Sequence, residues 1–290
     1  MSILIDSSTR VLVQGITGRE GEYHTRQMME YGTTVAAGCT PGKGGRVVNG
    51  VPVFNTVEEA VRQENVDTSI IFVPPKAAVD ALYEAADAGI ELIICITEGI
   101  PALDMMQALR KIRTFRPATR VLGPNCPGVI SPGRCSVSIM PARIFRPGGV
   151  GIISRSGTLT YQVAYNMLQA GIGQSTVVGV GGDPFIGLRF IDVLQAFNAD
   201  DETTAVCIIG EIGGSDEEEA AEYIKESVRK PVIAYVAGQT APPGKRMGHA
   251  GAIVAASTGT AESKIKAFED AGVPVGKAPY LIAGMLRTLM

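Results

Sequence analysis

The feature that most constrains this 290-residue chain is a regular alternation of short apolar runs with longer helical patterns. Runs such as 69–73 and 91–96 are largely apolar, so both faces of these strands are expected to be buried. Apolar strands separated by helices are typical of a parallel sheet that is covered by helices on both sides. The sequence therefore predicts an α/β fold.

The alternation occurs in two blocks. The first block has predicted strands at 11–14, 34–37, 69–73 and 91–96, with helices near 20–31, 57–64, 76–88 and 102–114. The second block has predicted strands at 150–153, 175–180, 204–209 and 231–236, with helices near 157–170, 187–198, 215–229 and 260–271. Proline, glycine and arginine are frequent between the blocks, which is typical of a connection. We predict domains at 1–125 and 150–290, joined by a connecting segment at 126–149.

Composition excludes several classes of protein. The net charge is −3, the basic residues are dispersed and aromatic residues make up 6% of the chain, so we expect no nucleic-acid partner. No apolar run approaches the roughly 20 residues that span a bilayer, and the N-terminus lacks a signal-peptide pattern. The five cysteines are widely spaced and never form a CxxC motif. The cysteines predict reduced cytoplasmic thiols with no disulfide or metal site, and the short apolar runs predict no membrane segment.

Two loops in the first block favour a phosphate-bearing ligand. The turn at 15–21 has the spacing G-x-x-G-x-x-G between a strand and a helix, so it departs from the dinucleotide fingerprint and is a weak signal alone. After the second strand, Lys43 stands in a segment where a carboxylate would hold the ribose of NAD. This lysine favours coenzyme A or NADP. The same segment lacks the spacing of a P-loop, so a nucleoside triphosphate is expected to bind another polypeptide.

A third loop, Ile96-Thr97-Glu98, follows the fourth predicted strand and is expected at the same sheet edge as the first loop. Two interpretations of Thr97 and Glu98 are equally favoured. They contact the ligand of the first domain, or they begin the helix that follows Pro101.

Polar loops also follow the strands of the second block. Ser154, Arg155, Ser156 and Gly157 form a strand-to-helix turn that suits an anion without a metal. Glu211 ends another strand at the same predicted edge. The acidic run 216–219 is expected to be a solvent-exposed helix start with no chemical role. Cys126, in the sequence GPNCPG, is a candidate nucleophile, but a structural role is favoured because no histidine lies near it in the sequence.

His249 is one of only two histidines, and glycines lie close to it on both sides. Lys245 and Arg246 precede it and would attract an anionic reactant. We interpret His249 as an imidazole that handles phosphate, against the alternative of a surface-loop histidine. A carboxylate such as Glu211 would fix its tautomer and raise the basicity of its other nitrogen.

These motifs occur in a recognisable order along the whole chain, and SRSGTLTY at 154–161 and GHAG at 248–251 are the most specific. The chain resembles the α subunits of the succinyl-CoA synthetase (succinate–CoA ligase) family. The resemblance implies a Rossmann-like CoA-binding domain followed by a flavodoxin-like, doubly wound parallel-sheet domain. It implies a coenzyme A site formed by Thr17, Gly18, Arg19, Glu20, Lys43, Ile96, Thr97 and Glu98, with contacts from Arg19 and Glu20 expected through their backbone.

The resemblance further implies that His249 is transiently phosphorylated, that Glu211 orients it, and that residues 154–157 receive its phosphoryl group. Tyr161 would bind substrate near a β subunit that carries ATP or GTP with Mg²⁺ on an ATP-grasp domain. The implied reaction is the succinyl-CoA step of the tricarboxylic acid cycle, which passes through an acyl phosphate. A citryl-CoA synthetase or malate–CoA ligase small subunit remains an alternative, as does a non-catalytic CoA- or NADP-binding module, which the histidine loop disfavours.

Overall fold

The computed structural model describes residues 2–241, 247–254 and 259–289. Its first part is a seven-stranded sheet with helices on both faces. The strands are β1 (Arg10–Gln14), β2 (Thr34–Cys39), β3 (Val47–Val48), β4 (Val51–Phe54), β5 (Thr68–Ile71), β6 (Leu92–Cys95) and β7 (Arg120–Leu122). The helices are α1 (Arg19–Tyr31), α2 (Val57–Glu64), α3 (Pro75–Asp87) and α4 (Ala102–Phe115).

The strand order of this sheet, β3-β4-β2-β1-β5-β6-β7, places β1 at its centre. All neighbours pair in parallel except β3, which forms a short antiparallel hairpin with β4. Without β3, the order is that of a Rossmann fold, in which the connections run in opposite directions from β1 and β5. The loops after β1 and β5 therefore border a crevice at the carboxyl edge, where ligands of such sheets bind.

The second part of the chain forms another seven-stranded sheet. Its strands are β8 (Gly128–Ser131), β9 (Cys135–Ser138), β10 (Pro147–Ser154), β11 (Gln174–Gly179), β12 (Ala205–Glu211), β13 (Val232–Ala237) and β14 (Val275–Gly276). Its α-helices are α5 (Gly157–Gln169), α6 (Phe190–Ala199), α7 (Asp216–Ser227), α8 (Ala261–Asp270) and α9 (Ile282–Leu289), with short 3₁₀ turns at Ala142–Ile144 and Pro279–Leu281. Within the described residues, no helix is long and apolar enough to cross a membrane.

The parallel strands of the second sheet follow the order β11-β10-β12-β13-β14, which is the flavodoxin-like arrangement. Its connections change direction between β10 and β12, so the loops after these two strands flank the second crevice. Every residue of β12 is buried, as expected for a central strand with helices on both faces. The predicted class of two α/β domains is confirmed.

The structure differs from the expected connection at 126–149, because β8, β9 and the start of β10 lie in this segment. Strand β8 pairs antiparallel with β11 and with β9, so the second sheet begins here. Gly133, with φ +79°, lies in the tight turn between β8 and β9. The prolines and glycines of this segment belong to the turns of a hairpin at the edge of the sheet. Linkers have the same composition, which is why the sequence predicted a connection here.

The two sheets share a hydrophobic core. One buried cluster includes Val13 and Ile70 from the first sheet together with Val129 and Val137 from the second. Backbone hydrogen bonds also join the domains, including Leu188 N–H to the Val121 carbonyl at 2.7 Å. The relative placement of the two crevices is therefore fixed by packing as well as by the covalent connection.

Helix α6 provides a test of this packing. Its buried face includes Phe190, Leu194 and Phe197, and the Phe197 ring lies where a side chain on Gly151 of β10 would be. We expect Phe197→Ala to lower the free energy of unfolding by about 3–5 kcal/mol because it leaves a cavity. Denaturant titration measures the change. The control is Phe115→Ala, whose ring is 68% exposed, and equal losses in both variants would contradict this account.

Candidate active site

His249 and Glu211 meet at the carboxyl edge of the second sheet. Glu211 is the last residue of β12, and β12 pairs in parallel with β13, which leads into the loop that carries His249. The Nδ1 atom of His249 lies 2.9 and 2.8 Å from the two carboxylate oxygens of Glu211. Because a carboxylate only accepts, Nδ1–H is the donor and Nε2 is left as the second imidazole nitrogen.

The electrostatic environment of His249 favours its charged form. The hydrogen bond that His249 donates to Glu211 raises the pKa of His249, while partial burial and the positive charge of Arg155 oppose this increase. The imidazole is 28% exposed and the Glu211 side chain 8% exposed. The ring is thus held firmly on one side and remains accessible on the other.

Arg155, which follows β10, is a buried counter-ion in this site. Its Nε lies 3.5 Å from Glu211 Oε1, and its Nη1 lies 3.5 Å from Asp216 Oδ2. The side chain is 4% exposed, so it neutralises the carboxylate that holds the imidazole. The sequence predicted Arg155 as part of an anion-binding turn. The structure instead directs its guanidinium inward, toward Glu211.

The imidazole packs directly against the backbone of Gly182, in the loop after β11. A Cβ atom at Gly182 would lie 2.3 Å from Cγ of His249, so only glycine leaves room for the ring in this position. Gly248, with φ +79°, provides the left-handed backbone conformation immediately before the histidine. Lys245 and Arg246, which were expected to attract an anion, lie outside the described residues.

A chain of backbone hydrogen bonds joins the two crevices. Asn125 N–H donates to the Thr97 carbonyl at 3.1 Å, and Gly182 N–H donates to the Asn125 carbonyl at 3.2 Å. Gly251 N–H then donates to the Gly182 carbonyl at 3.0 Å. The third loop of the first domain is therefore connected through two intermediate loops to the histidine loop.

The turn between β10 and α5 has an internally bonded structure. The Ser154 hydroxyl donates to the Ser156 carbonyl at 2.9 Å, and the Ser156 hydroxyl caps α5 by accepting the N–H of Leu159 at 3.3 Å. Gly157 begins α5, and the Tyr161 hydroxyl lies one turn later above it. Burial raises the pKa of Tyr161, so its phenol remains a neutral hydrogen-bonding group. The start of α5 is thus a rigid, positively polarised helix end.

The structure brings together the two phosphate-favouring loops of the first domain. Lys43 Nζ donates to the Thr17 hydroxyl at 3.1 Å, and Thr17 in turn donates to the Thr40 hydroxyl at 3.2 Å. A Cβ atom at Gly21 would lie 2.3 Å from the Gly15 carbonyl oxygen, so this glycine allows α1 to begin close to the end of β1. Gly18 is the N-cap of α1.

Arg19 and Glu20 extend into solvent at the same helix start. Their side chains form an exposed ion pair at 3.0 Å and are 93% and 58% exposed. Such a surface pair contributes little to stability. Both side chains are accessible at the crevice and make few contacts with the protein core.

The loop Ile96-Thr97-Glu98 does not cap α4. That helix has Pro101 as its N-cap, with no side-chain cap bond, and the Thr97 hydroxyl donates to the Val73 carbonyl at 2.8 Å. The helix-start interpretation is therefore wrong. Ile96 and Thr97 are half-buried, whereas Glu98 is exposed. Glu98 and Gly248 contribute to the lining of a cavity of about 240 Å³ between the two domains.

The sequence analysis missed Asp183, whose side chain is close to the histidine loop. The residue is 6% exposed, and its carboxylate accepts a hydrogen bond from Asn125 Nδ2 at 2.9 Å. Burial raises the pKa of Asp183. A signal was available, because Asp183 follows β11 and β11 adjoins β10 in parallel. It therefore lies at the same sheet edge as Arg155.

The expectation for the acidic run 216–219 is wrong at Glu217. Glu217 is fully buried and forms an ion pair with Lys264, which is fully buried as well. The run does begin α7, as expected. However, a helix start has an inner side as well as a solvent side, and Glu217 points inward.

Cys126 has a structural role. The residue is 4% exposed, and its thiol donates to the Cys95 carbonyl at 3.3 Å. Burial raises the pKa of the Cys126 thiol far above its ordinary value, which removes the thiolate needed for nucleophilic attack.

Comparisons with known proteins agree with this two-domain arrangement. Residues 6–99 match the CoA binding domain family, and residues 153–274 match the CoA-ligase family. Succinate–CoA ligase [ADP-forming] subunit alpha 2 of Archaeoglobus fulgidus is 57% identical, with 100% of each chain covered. The chain belongs to the family of succinate–CoA ligase α subunits. The corresponding α subunit of Aquifex aeolicus is 58% identical, with 100% of this chain and 95% of that protein covered.

More distant solved structures share the fold of this α-subunit family. ATP citrate lyase from Methanothrix soehngenii, solved with citrate and coenzyme A, has a TM-score of 0.87 at 24% identity. The match covers 99% of this chain and 50% of that chain. The chain thus spans about half the length of this larger enzyme, and the similarity concerns the fold alone.

The His249–Glu211 pair should make stability depend on pH. Because the native pKa of His249 is raised above the ordinary 6.5, the pair stabilises the fold fully below that value, and the contribution disappears as pH rises through the native pKa. We expect Glu211→Gln to lower the melting temperature more near pH 5.5 than near pH 9. Calorimetry measures the melting temperature at each pH. In a His249→Asn background the difference should vanish, and equal losses at both pH values in the single variant would refute the expectation.

Proposed function

We propose that this chain, together with a β subunit, catalyses the reversible formation of succinyl-CoA from succinate, coenzyme A and a nucleoside triphosphate. The observation that carries the proposal is the Glu211-bound imidazole of His249 at the flavodoxin-like crevice. It occurs in a chain that is 56–59% identical over almost its whole length to succinate–CoA ligase α subunits. The proposal places the reaction in the tricarboxylic acid cycle and the complex in the cytoplasm, as the scattered cysteines suggest.

His249 would act as the phosphoryl carrier. With Nδ1–H donated to Glu211, the lone pair of Nε2 is free to attack the terminal phosphorus of the nucleoside triphosphate, so that an N–P bond forms as the P–O bond to the departing nucleoside diphosphate breaks. When the N–P bond later breaks, a carboxylate oxygen of the acyl substrate takes the phosphoryl group, and the electron pair returns to the ring. Glu211 would stabilise the positive charge that the ring carries while it is phosphorylated.

The start of α5 would hold the phosphoryl group beside the histidine. A helix N-terminus presents N–H groups without intrahelical partners, and its partial positive charge attracts an anion. The internally bonded turn at 154–157 keeps these donors in place, with Ser156 capping the helix. Arg155 would act indirectly, because it neutralises Glu211. Tyr161, one turn into α5, would contact the carboxylate substrate.

The first crevice fits coenzyme A. Gly21 lets α1 begin directly against Gly15, which brings the N-terminus of α1 to the crevice, and Lys43 places an ammonium beside Thr17. Thr17, Gly18 and Lys43 would bind the phosphates, with Arg19 and Glu20 next to them. Ile96, Thr97 and Glu98 would line the path from this crevice toward His249. When bound, coenzyme A supplies the thiol that accepts the acyl group.

The remaining components would come from the partner. We propose a β subunit with an ATP-grasp domain, which binds ATP or GTP with Mg²⁺ and completes the succinate site. The alternatives, a small subunit of a citryl-CoA synthetase or a malate–CoA ligase, differ in the acyl substrate. A panel of succinate, malate and citrate therefore distinguishes them.

Reconstitution with a succinate–CoA ligase β subunit tests the function. With ATP and Mg²⁺, we expect one acid-labile, base-stable phosphate on His249, and with succinate and coenzyme A we expect thioester formation. His249→Asn should abolish both. His24→Gln removes the other histidine and should keep the label. Phosphate retained by His249→Asn, or full turnover by this chain without a partner, would overturn the proposal.

A charge reversal tests the coenzyme A site. Because Lys43 would bind a phosphate, we expect Lys43→Glu to weaken coenzyme A binding at least about tenfold, which corresponds to ~1.4 kcal/mol. Phosphorylation of His249 from ATP should continue at its normal rate. Titration calorimetry gives the affinity, and Lys111→Glu on α4 is a matched reversal on the same domain. An unchanged affinity in Lys43→Glu would show that Lys43 is not a phosphate ligand.

A further inference from the structure

The most deeply buried ion pair of the described residues lies behind the active site. Glu217 in the first turn of α7 and Lys264 in α8 are both 0% exposed, and their charged groups are in direct contact. The Lys264 ammonium also donates to Glu218 Oε2 at 2.9 Å and to the Gly214 carbonyl at 3.1 Å. All three of its donor positions therefore have an acceptor.

The second oxygen of Glu217 connects this pair to the active site. Glu217 Oε1 accepts the backbone N–H of Glu211 at 3.0 Å. Glu211 is the residue whose side chain holds His249. The close approach requires Gly210, because a Cβ atom there would lie 2.7 Å from Cγ of Glu217. The buried carboxylate thus fixes the backbone from which the Glu211 side chain extends.

Lys264 connects the pair to the histidine loop from the other side. The loop that carries His249 leaves β13 and ends at α8, and Lys264 lies one turn into that helix. A backbone bond from Gly213 N–H to the Gly259 carbonyl, at 2.8 Å, joins the same two segments. The ion pair therefore links the segment that supplies the carboxylate to the helix that ends the histidine loop.

Stability alone does not account for such a pair. Removing two charges from water is costly, and replacing a buried pair by apolar residues of similar volume is often neutral or stabilising. Such a pair can instead fix the positions of its neighbours, because the carboxylate and the ammonium form hydrogen bonds only in defined directions. Here those directions lead to Glu211 N–H at the end of β12 and to the Gly214 carbonyl in the loop that follows it.

We infer that Glu217 and Lys264 are positioning residues that hold Glu211 and the histidine loop in register, so that His249 Nε2 meets the phosphoryl group in the correct geometry. The inference about phosphoryl transfer rests on the proposed function. The alignment of Glu211 with His249 does not.

The test compares two double variants of the full chain. E217L/K264M removes both charges and the acceptor for Glu211 N–H. E217Q/K264M removes both charges but keeps an amide oxygen in the place of that acceptor. The matched control is E58L/R62M, which removes the exposed ion pair on α2.

Imidazole titration by NMR gives the first readout, since the chain has only two histidines. The titratable or charged groups around His249 are Glu211, Arg155, Glu98 and Asp183. In E217L/K264M we expect the pKa of His249 to fall toward its ordinary value while His24 titrates as before. In E217Q/K264M the fall should be smaller. The control should match the unaltered chain at both histidines.

The rate of His249 phosphorylation in the complex gives the second readout. We expect it to fall roughly ten- to a hundredfold in E217L/K264M, because small misplacements of reacting groups have effects of this size. The KM values for nucleotide and coenzyme A should not change. A purely structural pair would alter the melting temperature and leave the titration and the rate of the folded protein unchanged.

Wild-type titration and rate in folded E217L/K264M would overturn the inference. If that variant does not fold, E217Q/K264M is measured in its place. A wild-type pKa of His249 and a wild-type phosphorylation rate would then overturn the inference, and lowered values would support it. If the unaltered complex carries no phosphate on His249, the proposed function fails. The titration still tests the alignment in that case.

Discussion

The site depends on a series of backbone hydrogen bonds that begins at Thr97 and passes through Asn125 and Gly182 to Gly251. These bonds join four loops that are distant in sequence and belong to two domains. They place the histidine loop above Gly182, where the imidazole reaches Glu211. Because backbone groups form each bond, this arrangement requires close approach of main chains, and Gly182 provides it at the position that contacts the ring.

Charge then determines how the assembled site behaves. Glu211 interacts with His249 and with Arg155, so one carboxylate is shared between an imidazole and a guanidinium. Arg155 prevents Glu211 from being an uncompensated buried anion, and it also limits the increase in the pKa of His249. Arg155 thereby opposes full conversion of the imidazole to its charged form, in which Nε2 has no lone pair for nucleophilic attack.

Much of the fold and part of the site could be predicted from local sequence. Apolar runs identified the central strands, and parallel strands that end at one edge predicted that Glu211 would approach His249. The edge hairpin at 128–138 was missed because its turns have the composition of a linker. Glu217 was missed for a different reason. Its partner, Lys264, is 47 residues away, and a run of acidic residues gives no local sign of which member points inward.

The shared core of the two sheets has a consequence for motion. Val13 and Ile70 pack in the same cluster as Val129 and Val137, so an apolar contact joins the two domains and opposes the opening of a hinge between them. This contact favours a constant distance between Lys43 and His249. A reacting group that moves between these two residues must cover the distance itself. A reactant with a long, flexible arm therefore suits this arrangement.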